Sequence, residues 1–177
     1  MKELIIIDVQ NDFVDGSLGS KEAQAMIPHL LEKVKDYKGD VIFTKDTHPK
    51  NYLETQEGSM LPVEHCIKGT KGWELIDELE VIRQVRHAQV FEKPTFGSLE
   101  LVQYLKKVYD QGQLESCELI GLCTDICVIS NALLIKAAMP ELPIYVDPTC
   151  CAGVTVEKHQ AALKVMESCQ IHIREYK

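Results

Sequence analysis

The chain is predicted to fold as an α/β protein of three layers, with a mostly parallel, doubly wound six-stranded sheet between two layers of helices. Two observations predict it. Short, apolar, β-branched runs recur along the sequence, and longer segments with helical periodicity lie between them. Strands that are apolar throughout need cover on both faces, which is the situation of a parallel sheet flanked by crossover helices.

The elements follow in order. Leu4–Asp8 is an apolar strand closed by an aspartate. In Lys21–Tyr37 the residues Ala23, Met26, Ile27, Leu30, Leu31 and Val34 repeat at i, i+3, i+4 and i+7, so one helix face is buried, and Gly39 stands just past the end. Asp40–Lys45 reads as the next strand. The stretch from Thr47 to Leu79 then breaks the alternation with polar residues, Gly, Pro and His. An irregular excursion of that length is usually functional. The alternation resumes with strand Gln89–Glu92, helix Ser98–Asp110 stopped by Gly112, strand Cys117–Leu122 and helix Cys127–Met139. It closes with strand Ile144–Val146, helix Val156–Ser168 and strand Gln170–Arg174.

At 177 residues the chain fits a single domain, residues 1–177, large enough for a layered core. Its 45% hydrophobic and 26% charged residues are ordinary for a soluble globular protein. A net charge of -8 argues against nucleic acid as partner, because phosphate binding needs a basic surface. No apolar run approaches the ~20 residues of a membrane span. The start, Met1-Lys2-Glu3 and then Leu4-Ile5-Ile6-Ile7-Asp8, lacks a signal-peptide pattern. The cysteines number seven and show no framework spacing, so reduced thiols in a cytoplasmic protein are expected.

In doubly wound sheets, ligands bind beyond the carboxyl ends of the strands. Asp8, Asp46, Lys93 and the turn Cys123–Cys127 all stand at or just past such ends. In Gly121-Leu122-Cys123-Thr124-Asp125-Ile126-Cys127-Val128, a buried strand runs through a tight turn into a helix, with Thr124 or Asp125 as expected N-cap. A thiol in the first helical turn sees free N–H groups and the positive dipole end, both favouring thiolate. The plainer reading of Cys127 is a small buried hydrophobe. Asp8 reads either as a turn former or as a carboxylate that takes the thiol proton and returns it to a leaving amine. Lys93 is an unremarkable lysine alone, but beside Cys127 and Asp8 it would stabilise both negative charges. In the excursion, Asp46-Thr47-His48, Glu57 and His65 match a carboxylate–imidazole site for a divalent metal, although an isolated Asp-x-His is common. Cys66 adjoins His65, but no paired-cysteine spacing supports a thiolate site. His29, His87, His159 and His172 have no partner pattern and read as structural or exposed.

Taken together, these motifs resemble the isochorismatase-like cysteine hydrolases, and within them the nicotinamidases. The resemblance spans Asp8-Val9-Gln10-Asn11-Asp12-Phe13, Asp46-Thr47-His48, Pro62-Val63-Glu64-His65-Cys66-Ile67-Lys68-Gly69-Thr70-Lys71-Gly72, Lys93 and Gly121–Val128, nearly the whole chain. It implies the isochorismatase-like hydrolase fold, a catalytic triad of Asp8, Lys93 and Cys127, and a zinc-type metal (iron or manganese being the other options) on Asp46, His48 and His65, with Glu57 as a further ligand. It also implies a cis peptide at Leu122–Cys123 and an oxyanion hole made by the N–H groups of Cys123 and Cys127. The implied reaction hydrolyses nicotinamide to nicotinate and ammonia through a Cys127 thioester, with pyrazinamide also cleaved, a role in NAD salvage and pyridine nucleotide biosynthesis. Phe13 and Phe96 read either as ring contacts or as plain core, and a homo-oligomer is expected.

The sequence departs from many nicotinamidases at Leu61, where they carry Trp, and in the segment Pro94-Thr95-Phe96-Gly97-Ser98. Those departures leave the substrate open to an alternative, a related cysteine amidohydrolase acting on a carbamoyl, ureido or other small amide. Two readings of another class are a non-catalytic metal-binding module and a thiol redox protein using Cys123 with Cys127, or Cys150 with Cys151.

Overall fold

The computed structural model describes residues 1–174; residues 175–177 of the expected domain lie outside the described residues. In chain order the elements are β1 (Lys2–Ile7), α1 (Asn11–Val14), α2 (Lys21–Asp36), β2 (Asp40–Asp46), α3 (Gln56–Met60), α4 (Asp77–Arg86), β3 (Gln89–Lys93), α5 (Leu99–Asp110), β4 (Ser116–Leu122), α6 (Ile129–Ala138), β5 (Ile144–Ala152), α7 (Val156–Ser168) and β6 (His172–Ile173). The strands form one sheet in the order β3-β2-β1-β4-β5-β6, and every pairing is parallel. Helix α2 packs on α4, while α5 packs on α6 and α6 on α7. Right-handed crossovers give this division, placing α2 and α4 on one face and α5, α6 and α7 on the other.

The core centres on β1, where Leu4, Ile5, Ile6 and Ile7 are all fully buried. The sheet reverses its winding between β1 and β4, which places the ligand crevice past the ends of these strands. One glycine keeps that crevice narrow. Gly121 has φ +120°, and a Cβ there would collide with the Ile7 carbonyl oxygen. Only glycine lets β4 lie so close to β1, and so lets the turns after the two strands meet.

Three sequence expectations need correction. The Thr47–Leu79 excursion is not wholly irregular: it holds a 3₁₀ turn at Tyr52–Glu54 and α3, and α4 begins within it at Asp77. Helix α4 carries a weak apolar stripe, because Leu79 alone is deeply buried while Val81 and Val85 are exposed. Strand β1 stops at Ile7, and Asp8 lies beyond it with φ +48°. Strand β5 continues past Val146 to Ala152, absorbing Pro148 where its register to β4 skips between Leu119 and Gly121.

Candidate active site

The strand ends bring Asp8, Lys93 and Cys127 together. Lys93 extends from the end of β3 and is 1% exposed. Its Nζ lies 2.6 Å from Asp8 Oδ2 and 3.5 Å from Asp46 Oδ1, and it donates to Cys127 Sγ at 3.4 Å and to the Thr95 carbonyl at 3.1 Å. The contact with Asp8 Oδ2 is a close, fully buried ion pair. The other carboxylate oxygen, Oδ1, accepts from Thr44 Oγ1 at 2.7 Å. Thr44 in turn accepts from the Asp8 N–H at 3.2 Å, so the β2 hydroxyl fixes the carboxylate from both sides.

Burial and charge act against each other here. Burial raises the Asp8 carboxyl above its ordinary range, with Lys93 opposing and Asp46 reinforcing the rise. Burial and the Asp8 charge push the Cys127 thiol well up, more than Lys93 pulls it down. Lys93 overcomes its own burial through Asp8, Cys127 and Asp46 and stays firmly protonated. The expectation that a helix start would hold Cys127 as thiolate therefore fails. The sulfur is buried, and burial together with the Asp8 carboxylate beside it favours the neutral thiol.

The local backbone also differs from the expected N-terminal turn. Residues Thr124–Val128 form a π-helical turn ahead of α6, and Cys127 is its fourth residue. Neither Thr124 nor Asp125 caps it. The Thr124 hydroxyl meets His159 Nδ1 at 2.7 Å, and Asp125 Oδ1 accepts from the Val154 N–H at 2.9 Å. The Cys123 carbonyl accepts from Ile126 N at 3.0 Å and Val128 N at 3.1 Å, skipping Cys127. Asn131, fully buried, donates to the Cys127 carbonyl at 2.8 Å and to the Phe96 carbonyl at 3.1 Å.

Across the crevice, Asp46, His48, Glu57 and His65 converge, with one ligand atom from each lying within 4.8 Å of all the others. His48 Nε2 is 2.9 Å from Asp46 Oδ2, and His65 Nε2 is 3.6 Å from the same oxygen. Glu57 Oε1 stands 3.6 Å from His48 Nε2 and 3.7 Å from His65 Nε2. The Val63 carbonyl can only accept, so His65 carries its hydrogen on Nδ1, 2.8 Å away, and turns the Nε2 lone pair inward. Although burial opposes it, the neighbouring His48 and His65 rings and the Lys93 charge hold Asp46 well below the usual carboxylate range. Two imidazoles and two carboxylates in a buried recess fit a divalent cation of borderline hardness. Cys66 is fully buried beside this cluster and takes no part in it.

Several supporting residues had no signal in the sequence. Gln10 donates to the Asp46 carbonyl and accepts from the Asp46 N–H, both at 2.8 Å, and so grips the ligand's backbone. Asp12 accepts from the Cys66 N–H at 2.8 Å and pins the loop that carries His65. Tyr52 is buried, with its ring 4.8 Å from His48 and 5.0 Å from His65.

A cavity of about 550 Å³ joins the two clusters, lined among others by Phe13, Asp46, His65, Phe96 and Cys127. Phe13 packs at 5.6 Å on the His65 ring, whereas Phe96 is 43% exposed at the mouth. The Isochorismatase domain family matches residues 2–175 of this sequence.

The chain belongs to the isochorismatase family.

It is 28% identical to the nicotinamidase of Schizosaccharomyces pombe in an alignment covering 96% of this chain and 91% of that one. The crystal structure of the nicotinamidase/pyrazinamidase from Bacillus subtilis superposes with a TM-score of 0.85 at 25% identity, covering 98% of this chain and 99% of the other. A pyrazinamidase from Pyrococcus horikoshii, solved in complex with zinc, shares the fold with a TM-score of 0.79 at 23% identity and 99% coverage of both chains. In this isochorismatase-family site the Leu122–Cys123 peptide is cis, and Leu122 and Cys123 line the cavity beside Cys127. Among the described residues no helix is long and apolar enough to cross a membrane.

Proposed function

We propose that the protein is a nicotinamidase, releasing nicotinate and ammonia from nicotinamide through a thioester on Cys127, and that residues 1–177 form one hydrolase domain. One observation carries the reading. A single cavity is lined on one side by Cys127, with Asp8 and Lys93 buried behind it, and on the other by Asp46, Glu57 and His65 of the cluster that His48 completes. A non-catalytic metal module would have no use for the first wall. A redox pair at Cys123 and Cys127 would have no use for the second.

The buried Cys127 thiol gives its proton to Asp8 as sulfur attacks the carboxamide carbon. The carbonyl oxygen becomes an oxyanion facing the N–H groups of Cys123 and Cys127. Asp8 then passes its proton to the amide nitrogen, the C–N bond breaks and ammonia leaves, with the acyl group on sulfur. For the second half, Asp8 takes a proton from water as hydroxide adds to the thioester, and the acid departs as the thiol is restored. Lys93 stays an ammonium throughout and offsets whichever of Asp8 and Cys127 carries the negative charge. Asp46, His48 and His65, with Glu57, would hold the divalent ion, which when bound takes the pyridine nitrogen as a ligand and so sets the ring's place. Zinc is our assignment for that ion. Phe13 and Phe96 would flank the ring.

The free cysteines support a reducing, cytoplasmic setting. A homo-oligomeric state belongs to the same reading. The test is ammonia release from nicotinamide, pyrazinamide and a set of carbamoyl compounds by metal-loaded wild type and Cys127→Ala. Wild type should cleave both aromatic amides and the variant neither. No ammonia from either amide with wild type would end the assignment, and preference for a carbamoyl compound would move it to the neighbouring amidohydrolases.

A further inference from the structure

We infer that His159 is a positioning residue for the hydrolysis: from α7 it clamps Thr124 and thereby holds the turn bearing Cys127 and its N–H groups in reacting geometry. The inference rests on the reading of Cys127 as nucleophile. Two tethers make the clamp. His159 Nδ1 lies 2.7 Å from the hydroxyl of Thr124, which is fully buried. Asp125 Oδ1 accepts from the Val154 N–H at 2.9 Å. The first two residues of the π-helical turn are thus both bound to the junction of β5 and α7, and neither bond caps the helix they open.

The junction is shaped for this contact. A Cβ on Gly153 would stand 2.8 Å from Asp125 Oδ1 and 2.9 Å from His159 Cβ, so only glycine allows the approach. Gly153 and Val154 also form part of the cavity wall, so the segment that holds the turn borders the substrate as well. Burial lowers His159 below its ordinary value, against a weaker opposing effect of Asp125, so the ring is neutral at neutral pH. A neutral ring has one nitrogen that donates and one that accepts, so Nδ1 and the Thr124 hydroxyl make one hydrogen bond in either tautomer.

A π-helical turn leaves the sulfur and its flanking N–H groups dependent on outside restraint. Removing the restraint should weaken contacts made to the oxyanion while leaving ring binding, on the opposite wall, unchanged. His159→Ala is expected to lower kcat about 10- to 100-fold with KM within about twofold. His159→Asn, whose amide can reach the place of Nδ1, should recover most of the loss. Thr124→Val should reproduce the loss and Thr124→Ser should not.

Pyridine-3-carbaldehyde gives a readout that a purely structural role would not move. Cys127 adds to its carbonyl, a C–S bond forms, and the thiol proton ends on the former aldehyde oxygen, which occupies the oxyanion position. Its inhibition constant should rise at least about tenfold in His159→Ala and Thr124→Val, while the affinity for nicotinate, which binds through the ring, holds. If the histidine variant does not fold, the Thr124 pair carries the test alone. Equal kcat and equal aldehyde inhibition in wild type and the clamp variants would overturn the inference. Inactive wild type would instead overturn the nicotinamidase reading.

Discussion

The two walls of the crevice are built in opposite ways. Asp8, Lys93 and Cys127 stand at or just past the ends of β1, β3 and β4, and their side chains are buried and crowded together, so each charge shifts its neighbours. Apart from Asp46 at the end of β2, the facing wall comes from the stretch between β2 and α4, with Glu57 on α3, and its ligand residues are held by hydrogen bonds to Gln10, the Val63 carbonyl and Asp12. The first wall has the means to move protons and form a bond. The second has the means to hold a ring still. The two meet at Lys93, whose Nζ approaches Asp46 Oδ1 at 3.5 Å and whose carbonyl accepts from the Thr47 N–H at 2.9 Å. A division of labour follows, in which damage to the first wall lowers kcat and damage to the second raises KM.

The largest effects should come from the first wall. Cys127→Ala is expected to lower kcat at least about 10⁴-fold, because no other group nearby can take the acyl chain. Asp8→Asn should cost about 10³-fold, as the amide accepts no proton from the thiol. Steady-state ammonia release measures both. A large KM change in either variant would blur the division between the walls.

Chelation, or His48→Ala, comes next. We expect kcat/KM to fall about 100-fold, carried mainly by KM, with metal content by elemental analysis falling in parallel. An unchanged KM with lost kcat would mean that the second wall shares in the bond-making step. Gln10→Ala sharpens the same comparison from outside the cluster. It removes the grip on the Asp46 backbone and should weaken metal retention about 10-fold while leaving alkylation of Cys127 at its wild-type rate.

The smallest effect concerns stability away from both walls. Glu3 is buried, neither carboxylate oxygen makes a hydrogen bond, and burial with Asp40 pushes its pKa up to about 7. The folded state then binds the proton more tightly than the unfolded one. Its contribution is fully present below the unfolded value of 4.5 and is lost as pH rises through 7. Glu3→Gln removes that loss, so the variant should gain on the order of 2 kcal/mol relative to wild type between pH 5 and pH 8. Urea titrations at the two pH values measure it, and activity should not change.

What the sequence disclosed tracks the same division. The strand-end residues were legible because the apolar run before Asp8 announces its own end and the expected strand Gln89–Glu92 puts Lys93 just past another. The metal donors were legible as residue types, since His48 and His65 sit in a polar stretch with carboxylates nearby. The supporting bonds were not. Gln10 meets Asp46, and Thr44 meets Asp8, across 36 residues, a spacing that reflects strand order and nothing local. Thr124 and Asp125 look like helix caps because their types favour caps, yet the π-helical turn turns both outward to the β5–α7 junction. Helix α4 escaped notice because its polar face dominates its composition. His159 was set aside as a residue without partners, since its partner lies 35 residues earlier and becomes adjacent only in the fold.

The central claim is that one thiol attacks a ring carboxamide held from the opposite wall. Acid-quenching the metal-loaded enzyme during turnover of nicotinamide, then mapping the peptides by mass spectrometry, tests it most directly. The account predicts a nicotinoyl group on the peptide containing Cys127, located on that sulfur by fragmentation and, at nicotinamide well below KM, strongly reduced after chelation. Steady hydrolysis with no acyl adduct, or an adduct on Cys123 instead, would contradict it.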